Sequence, residues 1–193
     1  MTEKQENKIT FIHTALVERC RKGDSSAQAE IYHLYFRAMY NISLRITGNT
    51  AEAEDVMQES FLKAFRNISS CKENATFGAW LKRIVVNQSI DALRQSRKIQ
   101  FEGEDKINSL PPEEDAAGIS EELLVGEIAE SIKIAVNALP EGYRVIVSLR
   151  LLEGYDHEEI GGILGIRPST SRSQYARGRQ KLIELLKDKK IIP

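Results

Sequence analysis

Cysteine is scarce: Cys20 and Cys71 are the only two in 193 residues, and no Cys-x-x-Cys occurs. That argues against a disulfide framework and the common zinc modules, and leaves Cys20 to pack as a small apolar side chain. The three histidines, His13, His33 and His157, are scattered without metal-ligand spacing. No metal and no cofactor is therefore expected, and His157 reads as a surface or cap residue. No apolar run approaches the roughly 18 residues of a membrane span, and the start lacks a basic-then-apolar leader. A cytoplasmic protein without membrane insertion is the expectation. There is also no Gly-rich phosphate loop and no Cys/His dyad, so an enzyme finds no support. Nowhere do apolar and polar residues alternate over the length of a strand, so the fold should be all-α.

A strong net charge is missing too. The total is −1, which by itself argues against a nucleic-acid binder. The distribution reverses that, because local patches matter more than totals. Residues 1–75 hold 10 basic and 10 acidic side chains, 76–100 hold 5 and 1, 101–141 hold 2 and 11, and 142–193 hold 10 and 6. Two basic segments thus flank an acidic one.

The stretch that organises the rest is 154–181. Asp156 is a good N-cap, and Glu159 three residues later completes the spacing of a capping box. Ile160, Ile163 and Leu164 give one apolar face. Gly165 suits a left-handed helix end, and Pro168 suits the first turn of the next helix. That second helix carries Arg167, Arg172, Arg177, Arg179 and Lys181, with no acid between Ile166 and Leu182. A short helix, a Gly turn and a basic helix form the helix-turn-helix pattern that lays its second helix in a DNA major groove. Residues at that helix's start enter the groove first, which singles out Ser169, Thr170, Arg172 and Ser173. Arg172 is the base reader by chemistry, with Gln174 as the fallback, and Arg177 and Arg179 suit phosphate.

The first half of the chain reads as four helices. Residues 10–21 place Phe11, Ile12, Ala15 and Leu16 on one face, and Asp24 caps a helix over 25–46 built on Ile31, Leu34, Tyr35, Ala38, Met39, Ile42 and Ile46. A third helix, 51–66, has a core stripe of Ala53, Val56, Met57, Ser60 and Ala64. Its other stripe is Glu52, Asp55, Glu59 and Leu62, with Gln58 beside it. After a loop at 67–74, a fourth helix over 75–98 points Phe77, Leu81, Ile84, Val85 and Gln88 one way, mostly into the core. Trp80, Arg83, Asn87 and Arg94 line a separate stripe. An aromatic ring, cations and an amide on one face suit single-stranded nucleic acid, since bases stack on rings and cations hold phosphates. Residues 101–120, with Pro111-Pro112 and six acids, read as a flexible acidic linker. The expected organisation is a first domain over 1–100, the linker, and a second domain over 121–193. In that second domain a helix over 121–139 is broken by Pro140 and Gly142, and another over 143–152 precedes the organising pair.

Together these residues resemble the sigma-70 family of the extracytoplasmic-function (ECF) type, the promoter-specificity subunit of bacterial RNA polymerase. Arg21-Lys22-Gly23-Asp24 and Ile46-Thr47-Gly48 carry the resemblance first. Ala53 through Phe61 (Ala-Glu-Asp-Val-Met-Gln-Glu-Ser-Phe) and Phe77 through Asn87 (Phe-Gly-Ala-Trp-Leu-Lys-Arg-Ile-Val-Val-Asn) follow. Leu139-Pro140-Glu141-Gly142-Tyr143-Arg144, Leu152-Glu153-Gly154 and Glu158-Glu159-Ile160 extend it into the second domain. The resemblance implies that Asp55, Gln58, Glu59 and Phe61, with Leu62 on the same stripe, contact core polymerase. It implies that the 67–74 loop, ending at Asn74, captures a flipped base of the −10 element, with Asn87 reading melting DNA. The second domain would read the −35 element. Core RNA polymerase and promoter DNA are the implied partners, with an anti-sigma factor as a further one.

The chain departs from the family pattern at the recognition helix. Ser169-Thr170-Ser171 stands where many relatives have Gly-Thr-Val, Gly161-Gly162 where Ala and a charged residue are frequent, and Gln174 where Arg or Lys is. The competing reading is an ordinary helix-turn-helix regulator with a helical sensor domain, which requires a ligand cavity and dimerisation on a palindrome.

Overall fold

A computed structural model describes residues 13–73, 76–97 and 131–188. Phe11, Ile12, Asn74, the expected 101–120 linker and the expected helix start at 121 lie outside those residues. Every regular element among the described residues is helical. The chain divides into two compact units, Met1–Lys98 and Ile99–Pro193.

In the first unit, α1 (13–21) is followed by α2 (Ser25–Thr47), α3 (Thr50–Arg66) and α4 (Phe77–Arg97). The boundaries follow local chemistry. The Asp24 carboxylate accepts from the backbone N–H groups of Ser26 and Ala27 and starts α2. The same carboxylate pairs with Arg19 at 2.8 Å, which holds its pKa below the ordinary range. Gly48, at φ 70°, ends α2 in the left-handed conformation that favours glycine. Asn49 caps α3 through Glu52 N–H at 3.1 Å.

Helices α2, α3 and α4 pack on one another around Ile31, Ile46, Met57, Leu81, Val85, Ile90 and Leu93, with Leu16, Val17 and Cys20 from α1. Burial pushes the Cys20 thiol up to about 11, in keeping with an inert apolar role. The expected stripes need correction at three places. Ala15 and Ala38 are exposed, and Leu34 is 48% exposed. Residues 34 and 38 sit one position off the 31–35–39–42–46 ridge, on the side of α2 left to solvent.

In the second unit, α5 (131–137) leads to Pro140, and α6 (Glu141–Val147) begins at once. Gly142 therefore lies in the first turn of α6 and breaks nothing; Pro140 alone makes the interruption. α6 runs into a π-helical turn, Ser148–Leu152. The Glu153 N–H bonds the Ser148 carbonyl at 3.1 Å, and the widened register buries Leu149 while leaving Leu151 48% exposed. α7 (His157–Leu164) and α8 (Pro168–Asp188) complete the unit. One cluster of its core is Ala135, Val136, Leu139, Val147, Leu182 and Leu186.

Candidate nucleic-acid and polymerase interfaces

The second unit presents α8 on a rigid turn. Asp156 accepts from the N–H groups of Glu158 and Glu159, both at 2.8 Å, and Glu159 accepts from the Asp156 N–H at 2.9 Å. This is the reciprocal capping box read from the sequence. Gly165 closes α7 at φ 70°, and the Ile166 N–H bonds the Gly161 carbonyl at 3.0 Å. The turn passes so near that a Cβ on Gly161 would lie 2.8 Å from the Ile166 carbonyl oxygen. One unusual glycine of the Gly161-Gly162 pair is thereby explained, whereas Gly162 has open space around it and nothing in the structure explains it.

Pro168 starts α8, and the helix then divides lengthwise. Thr170 and Ser171 point inward, at 8% and 0% exposure. Arg167, Ser169, Arg172, Ser173, Arg177 and Arg179 are exposed, with Gln174 half-buried. Thr170, expected at the base edges, is thus a packing residue in this structure. Arg172 and Arg179 lie seven residues apart and so share a side of the helix. Arg179 borders the apolar hollow with Leu151 and Ile183, while Arg177 and Gln174 border Pro140 and Tyr143 on the other flank. Arg177 and Arg179, grouped together by sequence position, therefore face opposite ways.

The two helices of the motif are tied by a residue the sequence reading treated as surface or cap. The Nδ1 atom of His157 lies 2.9 Å from Ser171 Oγ, and its ring meets Tyr175 at 5.7 Å in an edge-on contact. Burial, assisted by the Arg150 and Arg172 charges and opposed by Asp156, lowers the His157 pKa. The available signal was the i, i+4 spacing of Ser171 and Tyr175, which turns both toward α7.

On the first unit, Asp55, Gln58, Glu59 and Leu62 are exposed along one side of α3, Leu62 at 55%. Phe61 is not with them. It is 2% exposed, with its ring 4.9 Å from Tyr32 and 6.0 Å from Phe65. At 100° per residue, Phe61 turns away from the Leu62 side and into the core face of Met57 and Ala64.

On α4, Arg83 and Asn87 are exposed, while Trp80 and Arg94 are half-buried. The Trp80 ring rests 5.6 Å from buried Phe77, which in turn meets Tyr35 at 5.5 Å. One edge of Trp80 is thus fixed and part of it is left accessible. Arg94 lies 3.6 Å from Asp91. The loop before α4 is pegged from inside. Ile68 and Cys71 are buried, Asn67 donates to the Lys63 carbonyl at 2.8 Å, and Arg21 donates to the Cys71 carbonyl. Asn67, Ser69, Ser70, Lys72 and Glu73 stay exposed around these pegs. Arg21 as a loop brace was missed by the sequence reading, because its partner is a backbone atom 50 positions away.

Among the described residues no group of His, Cys, Asp and Glu could hold a metal ion, and no helix is long and apolar enough to cross a membrane.

The profile of sigma-70 region 2 matches residues 31–99, and that of sigma-70 region 4 matches residues 127–182. The ECF RNA polymerase sigma factor SigW of Bacillus subtilis is 31% identical over 178 residues, covering 89% of this chain and 95% of that protein. The ECF RNA polymerase sigma-E factor of Haemophilus influenzae is 30% identical over 174 residues, covering 87% and 92%. Among solved structures, the sigma factor RpoE of Bartonella quintana, in complex with the anti-sigma factor NepR, aligns with a TM-score of 0.51 at 26% identity. It covers 82% of this chain and 96% of that one. CnrH in complex with the cytosolic domain of CnrY gives a TM-score of 0.53 at 20% identity over 91% and 97% of the two chains, a likeness of fold.

Proposed function

The chain belongs to the ECF sigma factors of the sigma-70 family, and from that premise we propose how its two units divide the work of promoter recognition. As a sigma factor it binds core RNA polymerase and directs transcription initiation. In our reading the first unit contacts polymerase through Asp55, Gln58, Glu59 and Leu62, with Phe61 supporting that face from beneath. The same unit meets the −10 element through Trp80, Arg83, Asn87, Arg94 and the 67–74 loop. The second unit reads the −35 element with α8. No chemical step of its own is assigned to the chain, and its place of action is the cytoplasm, where polymerase works. The bound NepR of the RpoE structure makes an anti-sigma protein a further partner. An ordinary helix-turn-helix regulator leaves the α3 and α4 surfaces without a role.

The observation that carries the reading of α8 is its lengthwise division. Ser169, Arg172 and Ser173 are exposed at its start, behind a capped helix and a glycine turn. A guanidinium there can donate two bonds to one guanine, whereas cations on the two flanks suit the two phosphate strands that wall a major groove.

Two substitutions separate these roles. Arg172→Ala should weaken binding to the preferred −35 duplex by about 1–3 kcal/mol and flatten discrimination there. Arg177→Ala should weaken all duplexes about equally and reduce the salt slope by about one. Titrations of the holoenzyme on cognate and scrambled duplexes, at several salt concentrations, measure both. If Arg172→Ala loses affinity equally on both duplexes, Arg172 is not the base reader.

A further inference from the structure

His157 is the first residue of α7, and its half-buried ring reaches across to α8. Its partner, Ser171, is fully buried and is one of the positions where this chain departs from the family's Gly-Thr-Val. The histidine therefore supplies the hydrogen-bond partner that the serine hydroxyl requires once it is removed from water. Charged and titratable groups lie on each element packed against the ring and on its own. Arg150 stands on the π turn, Arg172 and Tyr175 on α8, and Asp156 on the entry to α7 itself, followed by Glu158 and Glu159.

We propose that the His157–Ser171 pair is a proton-linked latch, through which the chain grips its upstream duplex more tightly as the pH falls. This rests on the reading of α8 as the DNA-reading helix. A serine hydroxyl both donates and accepts, so the pair keeps its hydrogen bond whether the imidazole is neutral or cationic. Protonation therefore changes the charge beneath Arg172 without opening the latch. In the free chain that cation is disfavoured, because burial and two arginines oppose it. DNA reverses the balance. The first helix of a helix-turn-helix crosses the phosphate backbone, bringing negative charge to the start of α7 and offsetting Arg150 and Arg172. The proton is then held more tightly in the complex than in the free chain. Reciprocity requires the converse: a protonated latch binds the duplex better. The gain develops as pH falls through the complex's pKa and levels off below that of the free chain.

The test uses the full chain bound to core polymerase and a duplex selected by that holoenzyme from a randomised pool, titrated at constant salt between about pH 8 and pH 6. One linked proton can change affinity up to about tenfold per pH unit, so the wild-type Kd should fall about threefold to tenfold across the range. His157→Phe combined with Ser171→Val replaces the latch by apolar packing. It should bind within about twofold of wild type at pH 8 and lose the slope. His157→Gln, which can still hydrogen-bond but cannot titrate, should lose it as well. His13→Gln with His33→Gln should keep it. A slope that survives both latch variants, or a wild-type affinity that weakens toward acid, overturns the latch while leaving the reading of α8 intact. A wild-type holoenzyme that selects no duplex through α8 removes that reading and the latch together.

Discussion

Reversing two carboxylates on α3, Asp55→Lys with Glu59→Lys, is expected to weaken binding to core RNA polymerase by on the order of 3 kcal/mol, more than about 100-fold. The two side chains are exposed and one helical turn apart, so they present a double negative charge to whatever docks there. Reversal replaces two attractions by two repulsions in one interface. The helix itself should be unaffected, because lysine is a good helix former and neither side chain packs inside the unit. Competition against the unmodified chain for a limiting amount of core polymerase measures the loss, and thermal melting checks the fold. Equal competition at low salt would remove this face of α3 from the polymerase contact.

The second large effect is one of stability. Phe61→Ala should destabilise the first unit by about 3–5 kcal/mol, the usual range for emptying a buried aromatic site. A small domain has only about 5–15 kcal/mol in total, so the variant should unfold at a clearly lower denaturant concentration. Its neighbour behaves oppositely. Leu62→Ala, at a position 55% exposed, should move stability by no more than about 0.5 kcal/mol and instead lower affinity for polymerase. Urea titrations of both variants decide the matter. An unchanged Phe61→Ala midpoint would mean that the ring contributes nothing to the packed core.

That contrast marks how far the sequence could be read. Helix ends were legible because they depend on a few local residues: Asp24, Gly48, Asn49, Asp156 and Gly165 all sit where their cap chemistry places them. The core stripe of α3 was legible for the same reason, since period alone assigns Ala53, Val56, Met57, Ser60 and Ala64 to one face. Motif resemblance, by contrast, groups residues by adjacency in the chain. It put Phe61 with the exposed stripe of Asp55, Gln58 and Glu59, and placement by distance along α8 likewise grouped Arg177 with Arg179, although residues two apart on a helix face about 200° away from each other. Contacts between distant elements left no local trace. The Arg21 brace to the Cys71 carbonyl and the His157–Ser171 pair each join helices or loops that only the folded chain brings together. The exposure of Leu34 and Leu151 belongs to the same class, because an apolar residue's side is fixed by its neighbouring helices and, at Leu151, by a π turn that shifts the register.

A second tight approach in this unit is also made by a residue with no side chain. A Cβ on Gly178 would lie 2.8 Å from Val147 Cγ2 and 3.2 Å from Tyr143 Cβ, so α8 is seated on α6 almost backbone to side chain at that point. Farther along, Leu182 and Leu186 lock the same side of the helix into the core. The consequence is for how promoter choice can diversify. The seat of α8 is fixed by Gly178, Leu182 and Leu186, together with Thr170 and Ser171 at its start, whereas Ser169, Arg172 and Ser173 contribute little to that seat. On the proposed reading of α8, a new promoter preference can arise by exchanging the three outward residues at little cost to the seat of the helix.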